Sequence, residues 1–287
     1  MKLIADSGST KADWFIIDKQ LNKVGEVNSK GFNPLFHDEN FILTELHERI
    51  RLKKIAEDVS EIYFYGASCS SPERCAVLEE AFRNFFVNIK KIEIGHDLKG
   101  AVYATTPDEP GLVSILGTGS NACYYDGMNI NRARPSLGFI LGDEGSGASF
   151  GKALLTQYLY GQVPKHLSTQ LTEDYELSKD RILESVYMKA NPNVYLASFA
   201  RFLSDNKEDP FVHDLTYHGL EQFVETHLCV YPEHKELKAH FIGSISYFYE
   251  DTLREVCANY EIEVGHIIQR PIERLVDYHL RQAKLQA

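Results

Sequence analysis

The sequence lacks the features that mark several large classes of protein. It has no apolar run near the roughly 20 residues needed to cross a bilayer. Its formal net charge of −11 argues against a surface for nucleic acid or anionic membrane, although it leaves room for a local basic pocket. Residues 1–6 reach an acidic side chain too early for a secretion signal. We therefore expect neither nucleic acid nor a membrane as a partner.

Metal-binding and disulfide frameworks are also missing from the pattern of cysteines. The chain has five cysteines, with no C-x-x-C pair and no metal-ligand spacing: Cys69, Cys75, Cys123, Cys229 and Cys257. Their odd number and apolar neighbours predict buried, reduced thiols and a cytoplasmic setting.

What is present is an ordinary globular composition over a length that permits two lobes. The 287 residues are 44% hydrophobic and 25% charged, enough to bury one large core or two smaller ones. No long linker or low-complexity tract divides them.

The first stretch sets the pattern for the rest of the chain. Residues 3–18 run from an apolar segment into Asp6, then through a small polar loop with one glycine, then into a second apolar segment. This predicts strand, tight turn, strand, with Asp6 near the end of the first strand. Such a turn offers N–H groups to a phosphate and the carboxylate can hold a cation. A hairpin without function is the alternative.

The next elements complete a βββαβαβα order. We expect a third strand over 21–29, a helix over about 38–57 and a strand over 61–66. Ser71 and Pro72 predict the cap and first position of the next helix. A strand over 90–94 then leads to a helix from about residue 98. This order implies a mixed sheet with crossover helices.

The same opening then recurs in the second half of the chain. Residues 111–125 again predict strand, glycine-rich turn, strand, and Thr118–Asn121 aligns with Ser7–Thr10. Gly117 replaces Asp6, so the acid is not repeated. The repeat predicts two lobes of similar fold, with phosphates held between the two turns. A helix over 148–160, a helical insertion over 163–231, strands over 239–242 and 263–268 around a helix over 245–260, and a last helix from Pro271 complete the chain.

Two segments resemble phosphate-binding motifs but do not match them fully. Residues 117–122 fit G-x-G-x-x-[GA], but a strand rather than a helix is expected to follow, which excludes a dinucleotide fingerprint. Residues 147–152 are one position short of a P-loop, and Ala153 stands where Ser or Thr is needed. Lys152 is then a solvated helix lysine.

Several polar residues allow both a structural and a functional interpretation. Asp97 lies between a strand and a helix, so it is either an N-cap or a general base facing a substrate hydroxyl. His96 beside it favours a structural role. Asn33 is either a turn residue before Pro34 or a group that donates to and accepts from sugar hydroxyls.

The acids of the second half are equally ambiguous. Asp143 and Glu144 precede a helix, where they could simply favour its dipole. Three glycines nearby (Gly142, Gly145 and Gly147) would let the backbone approach a ligand. Gly243 follows a short strand and is either an ordinary turn residue or a surface for adenosine.

Taken together, these motifs resemble the N-acetylglucosamine kinase and BadF/BadG-type ATPase group of the acetate/sugar kinase–Hsp70–actin superfamily. The resemblance covers nearly the whole chain. It rests on five short segments in this order and spacing: residues 6–11, 31–34, 96–97, 117–121 and 142–146. It implies a duplicated ribonuclease-H-like, actin-like ATPase fold of class α/β, with a mixed sheet in each lobe and an interlobe cleft.

The resemblance also implies the domain limits and the role of each site residue. The N-terminal lobe would span 1–98, joined by the helix 270–287, and the C-terminal lobe 99–269, with the insertion 163–231. ATP and Mg²⁺ are the implied cofactors, and an amino sugar the implied partner. Asp97 would be the base and Asp6 the metal residue. The ATP-binding set would be Ser9, Thr10, Lys11, Thr118, Gly119 and Gly243, and the sugar-binding set Asn33, Ser136, Asp143 and Glu144.

Two departures from the group bear on function. Pro135 and Ser136 stand where related sugar kinases carry a glycine pair that touches the sugar. No cysteine has the setting of the iron–sulfur ligands found in dehydratase-activating ATPases. We therefore expect an ATP-dependent kinase of an amino sugar, with N-acetylglucosamine the first choice. The alternatives are an ATP-hydrolysing switch that acts on a protein partner, and a sugar sensor without catalysis. A homodimer is left open.

Overall fold

The fold was analysed in a computed structural model that describes residues 1–8 and 10–285, and it begins with the predicted hairpin. Strands β1 (Lys2–Ser7) and β2 (Lys11–Ile17) pair antiparallel, and β3 (Lys23–Lys30) extends the meander. Strands β4 (Glu61–Gly66) and β5 (Lys91–His96) add in parallel on the other side of β1. The sheet order is therefore β3-β2-β1-β4-β5, a mixed sheet as predicted.

Helices cover this first sheet. They are α1 (Glu39–Glu48), α2 (Ile50–Ile55), α3 (Pro72–Phe85) and α4 (Asp97–Thr105). The Ser71 hydroxyl accepts from the N–H of Arg74 and Pro72 opens α3, which confirms the predicted cap. The predicted single helix over 38–57 is wrong, because Arg49 leaves helical geometry while its guanidinium pairs with Glu45 at 2.9 Å.

The second sheet repeats the connectivity of the first. Strands β6 (Gly111–Leu116), β7 (Ser120–Tyr125) and β8 (Ile130–Asn131) form the meander, and β9 (Ala239–Ile242) and β10 (Val264–Ile268) add in parallel. The order β10-β9-β6-β7-β8 is that of the first sheet, strand for strand. The duplicated α/β fold predicted from the two openings is thus confirmed.

The helices of the second half fill the chain between β8 and β10. In order they are α5 (Gly138–Leu141), α6 (Gly147–Leu159), α7 (Lys165–Tyr175), α8 (Lys179–Tyr187), α9 (Pro192–Ser198), α10 (Ala200–Asp205), α11 (Pro210–Phe223), a π-helical segment (Val224–Leu228), a 3₁₀ turn (Pro232–Lys235), α12 (Ser244–Phe248) and α13 (Glu250–Asn259). The predicted helix over 245–260 is broken at Tyr249, whose buried hydroxyl donates to Ala200 O at 2.7 Å. Helix α5 was not predicted.

The last helix, α14 (Ile272–Leu285), returns to the first sheet, where it packs on β1, β2 and α4. The chain divides into two compact units: residues 1–107 with the chain from Arg270 onwards, and Asp108–Gln269. The division falls after residue 107 rather than after 98, because α4 packs on β1, β4 and β5 of the first sheet.

Each unit has its own core. In the first, Trp14 is fully buried against Phe32, Phe64 and Phe82, and its indole N–H donates to the Ser29 hydroxyl at 3.0 Å. Without that acceptor, the buried donor would cost roughly 1–3 kcal/mol. The second core is built around four fully buried phenylalanines: Phe150, Phe199, Phe223 and Phe241. No helix of the described residues is both long and apolar enough to span a membrane.

Candidate functional site

The first unit gathers acidic side chains at the carboxyl ends of its parallel strands. Asp6 lies near the end of β1, and Asp97 follows directly on β5. Because β1, β4 and β5 are parallel, these ends meet at one edge of the sheet. Burial, together with the charges of Asp13 and Asp97, raises the pKa of Asp6 to about 7, while Lys11 opposes them.

Asp13 is an acidic neighbour that the sequence analysis did not single out. It lies opposite Asp6 on β2 and is almost completely buried. Its carboxylate accepts from the Asn28 amide and pairs with Lys11 at 3.5 Å and Arg270 at 3.4 Å. Its charge is therefore compensated locally. The signal was available, since an aspartate between Ala12 and Trp14 interrupts an apolar strand.

Asp97 begins α4 but is not the N-cap of that helix. The cap is His96, and the two side chains are joined, with His96 Nδ1 2.6 Å from Asp97 Oδ1. Nδ1 accepts from the N–H of Leu98 at 3.2 Å, which is the capping bond. The same N–H donates to Asp97 Oδ1 at 2.7 Å. His96 Nδ1 and the Leu98 N–H thus both lie against Oδ1, which leaves Oδ2 of Asp97 to act on a ligand.

The predicted phosphate turn of the first unit is described on either side of Ser9, which lies outside the described residues. The Gly8 N–H donates to Lys11 O at 3.0 Å and the Gly31 N–H to Thr10 O at 3.1 Å. Thr10 and Lys11 are exposed. The turn thus presents polar groups to solvent while its backbone is tied to the loop that carries Asn33.

Asn33 is buried and is held by that loop. Its Oδ1 accepts from the Leu35 N–H at 3.0 Å, so the side-chain amide nitrogen is the atom left to meet a hydroxyl. The loop is fixed to β1 by Ser7, whose buried hydroxyl accepts from the Phe32 N–H at 2.9 Å. Ser7 is a second residue that the sequence analysis left without a role.

In the second unit the repeated turn is tied to the start of α6. The N–H groups of Gly147 and Ala148 donate to Gly117 O at 2.9 Å and Thr118 O at 3.1 Å. Asp143 lies against the same turn, its Oδ1 accepting from the Ser120 N–H at 3.2 Å. A Cβ on Gly119 would stand 2.7 Å from Asp143 Oδ2, so a side chain at this position would require the Asp143 carboxylate to move.

Asp143 and Glu144 are both half-buried but differ in their surroundings. Burial raises the pKa of Asp143, and the charge of Glu144 raises it further, while the Ser120 N–H opposes both. Asp143 also has a φ of +58°, uncommon for any residue but glycine. Glu144 Oε2 lies 3.0 Å from His227 Nε2, a partner 83 positions away that no local pattern indicates.

The remaining residues singled out in the sequence are Ser136, Gly243 and Lys152. Ser136 is on an exposed segment two residues before α5. Gly243 has a φ of +116°, and a Cβ there would lie 2.3 Å from Leu116 O, which by itself explains the glycine. Lys152 is exposed on α6, as expected for a solvated lysine.

The acidic, histidine and cysteine side chains of the described residues bear on whether a metal ion could bind. The described residues contain no group of three or more His, Cys, Asp or Glu side chains arranged for a metal ion. Asp6 alone still suits Mg²⁺, which in phosphoryl-transfer sites is held by one or two carboxylates, waters and the substrate phosphates. A cavity of about 210 Å³ in the first unit lies beneath α14, lined by residues such as Tyr63, Tyr103 and His279, and includes none of the predicted site residues.

Comparison with known proteins gives structural neighbours only. No protein-family model matches the chain. No curated protein matches it. A solved structure from Porphyromonas gingivalis, provisionally named an N-acetylglucosamine kinase, is 36% identical, with 99% of this chain and 100% of that chain covered and a TM-score of 0.93.

More distant structures share the fold. A provisionally named N-acetylglucosamine kinase from Chromobacterium violaceum is 16% identical, with coverages of 96% and 98% and a TM-score of 0.70. A ROK family glucokinase from Streptomyces griseus, solved with glucose and AMPPNP, is 11% identical, with coverages of 99% and 100% and a TM-score of 0.55.

Proposed function

The chain belongs to the N-acetylglucosamine kinase and BadF/BadG-type ATPase family of the acetate/sugar kinase–Hsp70–actin superfamily, and from this premise we propose that it transfers a phosphoryl group from ATP to a hydroxyl of an amino sugar. N-acetylglucosamine is the substrate we put first, in line with the name of the P. gingivalis protein. The observation that carries the proposal is the pair Asp97 and Asp6 at one edge of the first sheet.

Asp97 is the proposed general base. Its Oδ1 accepts from the Leu98 N–H and lies beside His96, so Oδ2 takes the proton of the attacking sugar hydroxyl as the new O–P bond forms and the bond from the γ-phosphorus to ADP breaks. The proton then resides on Asp97 and ADP leaves. Phosphoryl transfer needs mainly positioning of the reactants and neutralisation of charge. One fixed base is therefore enough to activate the acceptor hydroxyl.

Asp6 is the proposed residue for Mg²⁺. When bound, the cation neutralises charge on the ATP phosphates. Asp6 suits it because burial and two neighbouring acids make its own negative charge costly, and a cation relieves that cost. Asp13 is excluded from this role, since Asn28, Lys11 and Arg270 already compensate it.

The phosphate and nucleotide groups are assigned to both units. We infer that Thr10, Lys11 and the adjoining Ser9 contact phosphate from the first unit, and Thr118 and Gly119 from the second. Gly243 would lie against adenosine. The S. griseus glucokinase of the same fold binds AMPPNP, which supports the use of ATP here.

The sugar is assigned to Asn33, Asp143, Glu144 and Ser136. The buried amide of Asn33 and the half-buried carboxylates of Asp143 and Glu144 can form directional hydrogen bonds with sugar hydroxyls. The five cysteines, all within the described residues, form no disulfide, and from this we infer a reducing, cytoplasmic setting.

A coupled assay of ADP release tests the proposal. The purified chain is given Mg·ATP with N-acetylglucosamine, N-acetylmannosamine, glucose or no sugar. We expect turnover that rises at least tenfold with one N-acetylated sugar. Equal turnover with and without sugar would instead support an ATP-driven switch acting on a protein, and binding of sugar without turnover would support a sensor.

A further inference from the structure

The π-helical segment Val224–Leu228 carries a histidine that the proposed function does not use. We propose that His227 positions Glu144, and that this pair determines the affinity for the acceptor sugar. The inference rests on the proposed function, in which Glu144 binds a sugar hydroxyl. His227 touches Glu144 rather than the reacting atoms, so its role is positioning.

The contact is a directed hydrogen bond in a shielded place. His227 Nε2 lies 3.0 Å from Glu144 Oε2, and the two side chains are 11% and 25% exposed. The carboxylate accepts, so Nε2 carries the hydrogen and donates. The imidazole also packs on Phe223, with ring centroids 5.0 Å apart. Glu144 is thereby held through Oε2, and Oε1 remains to accept from a hydroxyl.

The helix that carries His227 is seated directly on the loop of Glu144. A Cβ on Gly145 would lie 2.7 Å from Phe223 Cβ and 3.3 Å from Gly219 O. A Cβ on Gly219 would in turn lie 2.5 Å from the ring of Phe150 on α6. Gly145 therefore lets α11 lie close to the loop, and Gly219 lets α11 lie close to α6.

The π-helical turn then sets the direction of the histidine. Cys229 N–H donates to Val224 O at 3.0 Å, a bond over five residues instead of four. One extra residue in the turn rotates the following side chains by about 100° relative to a continuing α-helix. His227 lies inside this widened turn and meets Glu144. Turns of this kind are irregular and frequently occur at functional sites.

The pair of Glu144 and His227 is better explained by ligand binding than by a contribution to the stability of the fold. Asp143 and Glu144 are adjacent acids, which repel one another, and each is held by a separate donor, Ser120 N–H and His227. A partly exposed pair such as Glu144–His227 adds little to folding. The carboxylates of two adjacent residues, each with acceptor sites to spare, match a ligand rich in hydroxyl donors, which is the chemistry of a sugar.

Steady-state kinetics of three single variants and one double variant test the inference. In His227→Leu and Glu144→Gln, we expect the KM for N-acetylglucosamine to rise about tenfold and the KM for ATP to stay within twofold. His227→Gln keeps an N–H donor and should recover most of the affinity. In the double variant His227→Leu/Glu144→Gln the effects should be less than multiplicative, because both changes act on the same hydrogen bond.

The matched control is another histidine–glutamate pair on the same helix. His218 and Glu221 are 3.2 Å apart on the surface of α11. His218→Leu should leave the KM for sugar unchanged. Thermal unfolding of each variant separates a loss of fold from a loss of sugar affinity.

Titration calorimetry with N-acetylglucosamine keeps the two proposals distinguishable. A wild-type chain that binds the sugar without turning over ATP contradicts the proposed function, while weaker binding by His227→Leu would still support the inference. Equal sugar affinity in wild type and His227→Leu, or a lower melting temperature with unchanged KM for sugar, overturns it.

Discussion

At the scale of single residues, the first unit distinguishes three acids by their surroundings. Asp13 is paired with cations and Asp97 lies beside His96, whereas Asp6 has its pKa raised by burial and by both neighbours. The same residue type thus has three different roles available, because environment decides which acid stays ionised. Two predictions follow from the difference between Asp97 and Asp6.

Replacing Asp97 with asparagine should remove the base while keeping a side chain of nearly the same size and shape. We expect kcat to fall by about 100-fold or more, with ATP affinity within a factor of two, because the amide cannot take the proton. Turnover and nucleotide binding are measured on the same preparation. Asp58→Asn, at an exposed position of the same unit, is the control. Near-normal turnover in Asp97→Asn would remove Asp97 from the mechanism.

Asp6→Asn should stabilise the ligand-free chain at alkaline pH. The pKa of Asp6 is raised from 3.8 to about 7, so the folded state binds its proton more tightly than the unfolded state. Stability contributed by that proton is present below pH 4 and is lost as the pH rises to 7. The variant should gain on the order of 2–4 kcal/mol at pH 8 and nothing at pH 4. Urea unfolding at pH 4 and pH 8 measures the gain in the free energy of unfolding. A gain that does not depend on pH would contradict the raised pKa of Asp6.

At the scale of elements, the turns after β6 and β9 have glycines where neighbouring groups come close. Gly119 leaves room for Asp143, and Gly243 leaves room for the carbonyl of Leu116. Gly243 also adopts a φ that other residues rarely reach. Close packing of Gly119 against Asp143 and of Gly243 against Leu116 thus accounts for these glycines without a bound nucleotide.

Gly243→Ala should disrupt the junction between β9 and α12. Its Cβ would stand 2.3 Å from Leu116 O at a φ of +116°, so we expect a loss of stability on the order of 1–3 kcal/mol. Gly117→Ala is the matched control, since its Cβ would meet nothing within 4 Å. Denaturant midpoints of the two variants are compared. Equal midpoints would mean that the turn can relax around a side chain.

At the scale of the whole molecule, one topology is used twice and only the first copy carries an acid in the turn. Each unit also buries a histidine whose pKa burial lowers to about 4, His279 in the first and His240 in the second. His279 bonds with the Tyr65 hydroxyl at 2.9 Å, and His240 Nδ1 accepts from the His266 N–H at 3.0 Å.

Both units should therefore lose stability in mild acid. The folded state binds these two protons less tightly than the unfolded state, so the stability present above pH 6.5 falls as the pH drops towards 4. The full loss is about 3 kcal/mol for each histidine. His279→Gln and His240→Asn should each flatten the pH dependence of urea unfolding between pH 7.5 and 5. An unchanged slope in both variants would contradict this.

The order of most strands along the chain and the two turns could be predicted because they depend on local sequence patterns. Alternating apolar runs, glycine-rich turns and the cap at Ser71 act over a few residues. The helix breaks at Arg49 and Tyr249 could not be predicted, since they depend on a partner outside the local pattern, such as Ala200 for Tyr249. The catalytic, phosphate and sugar roles remain predictions.

By itself, then, the sequence determined the duplicated α/β plan and the candidate residues, since strand pairing follows from patterns repeated along the chain. Only the tertiary structure decided which acids share an environment. It joined Asp13 to Arg270 and Glu144 to His227, pairs separated by 257 and 83 positions. Contacts at such separations depend on how elements pack, and packing follows from burial of side chains throughout each unit.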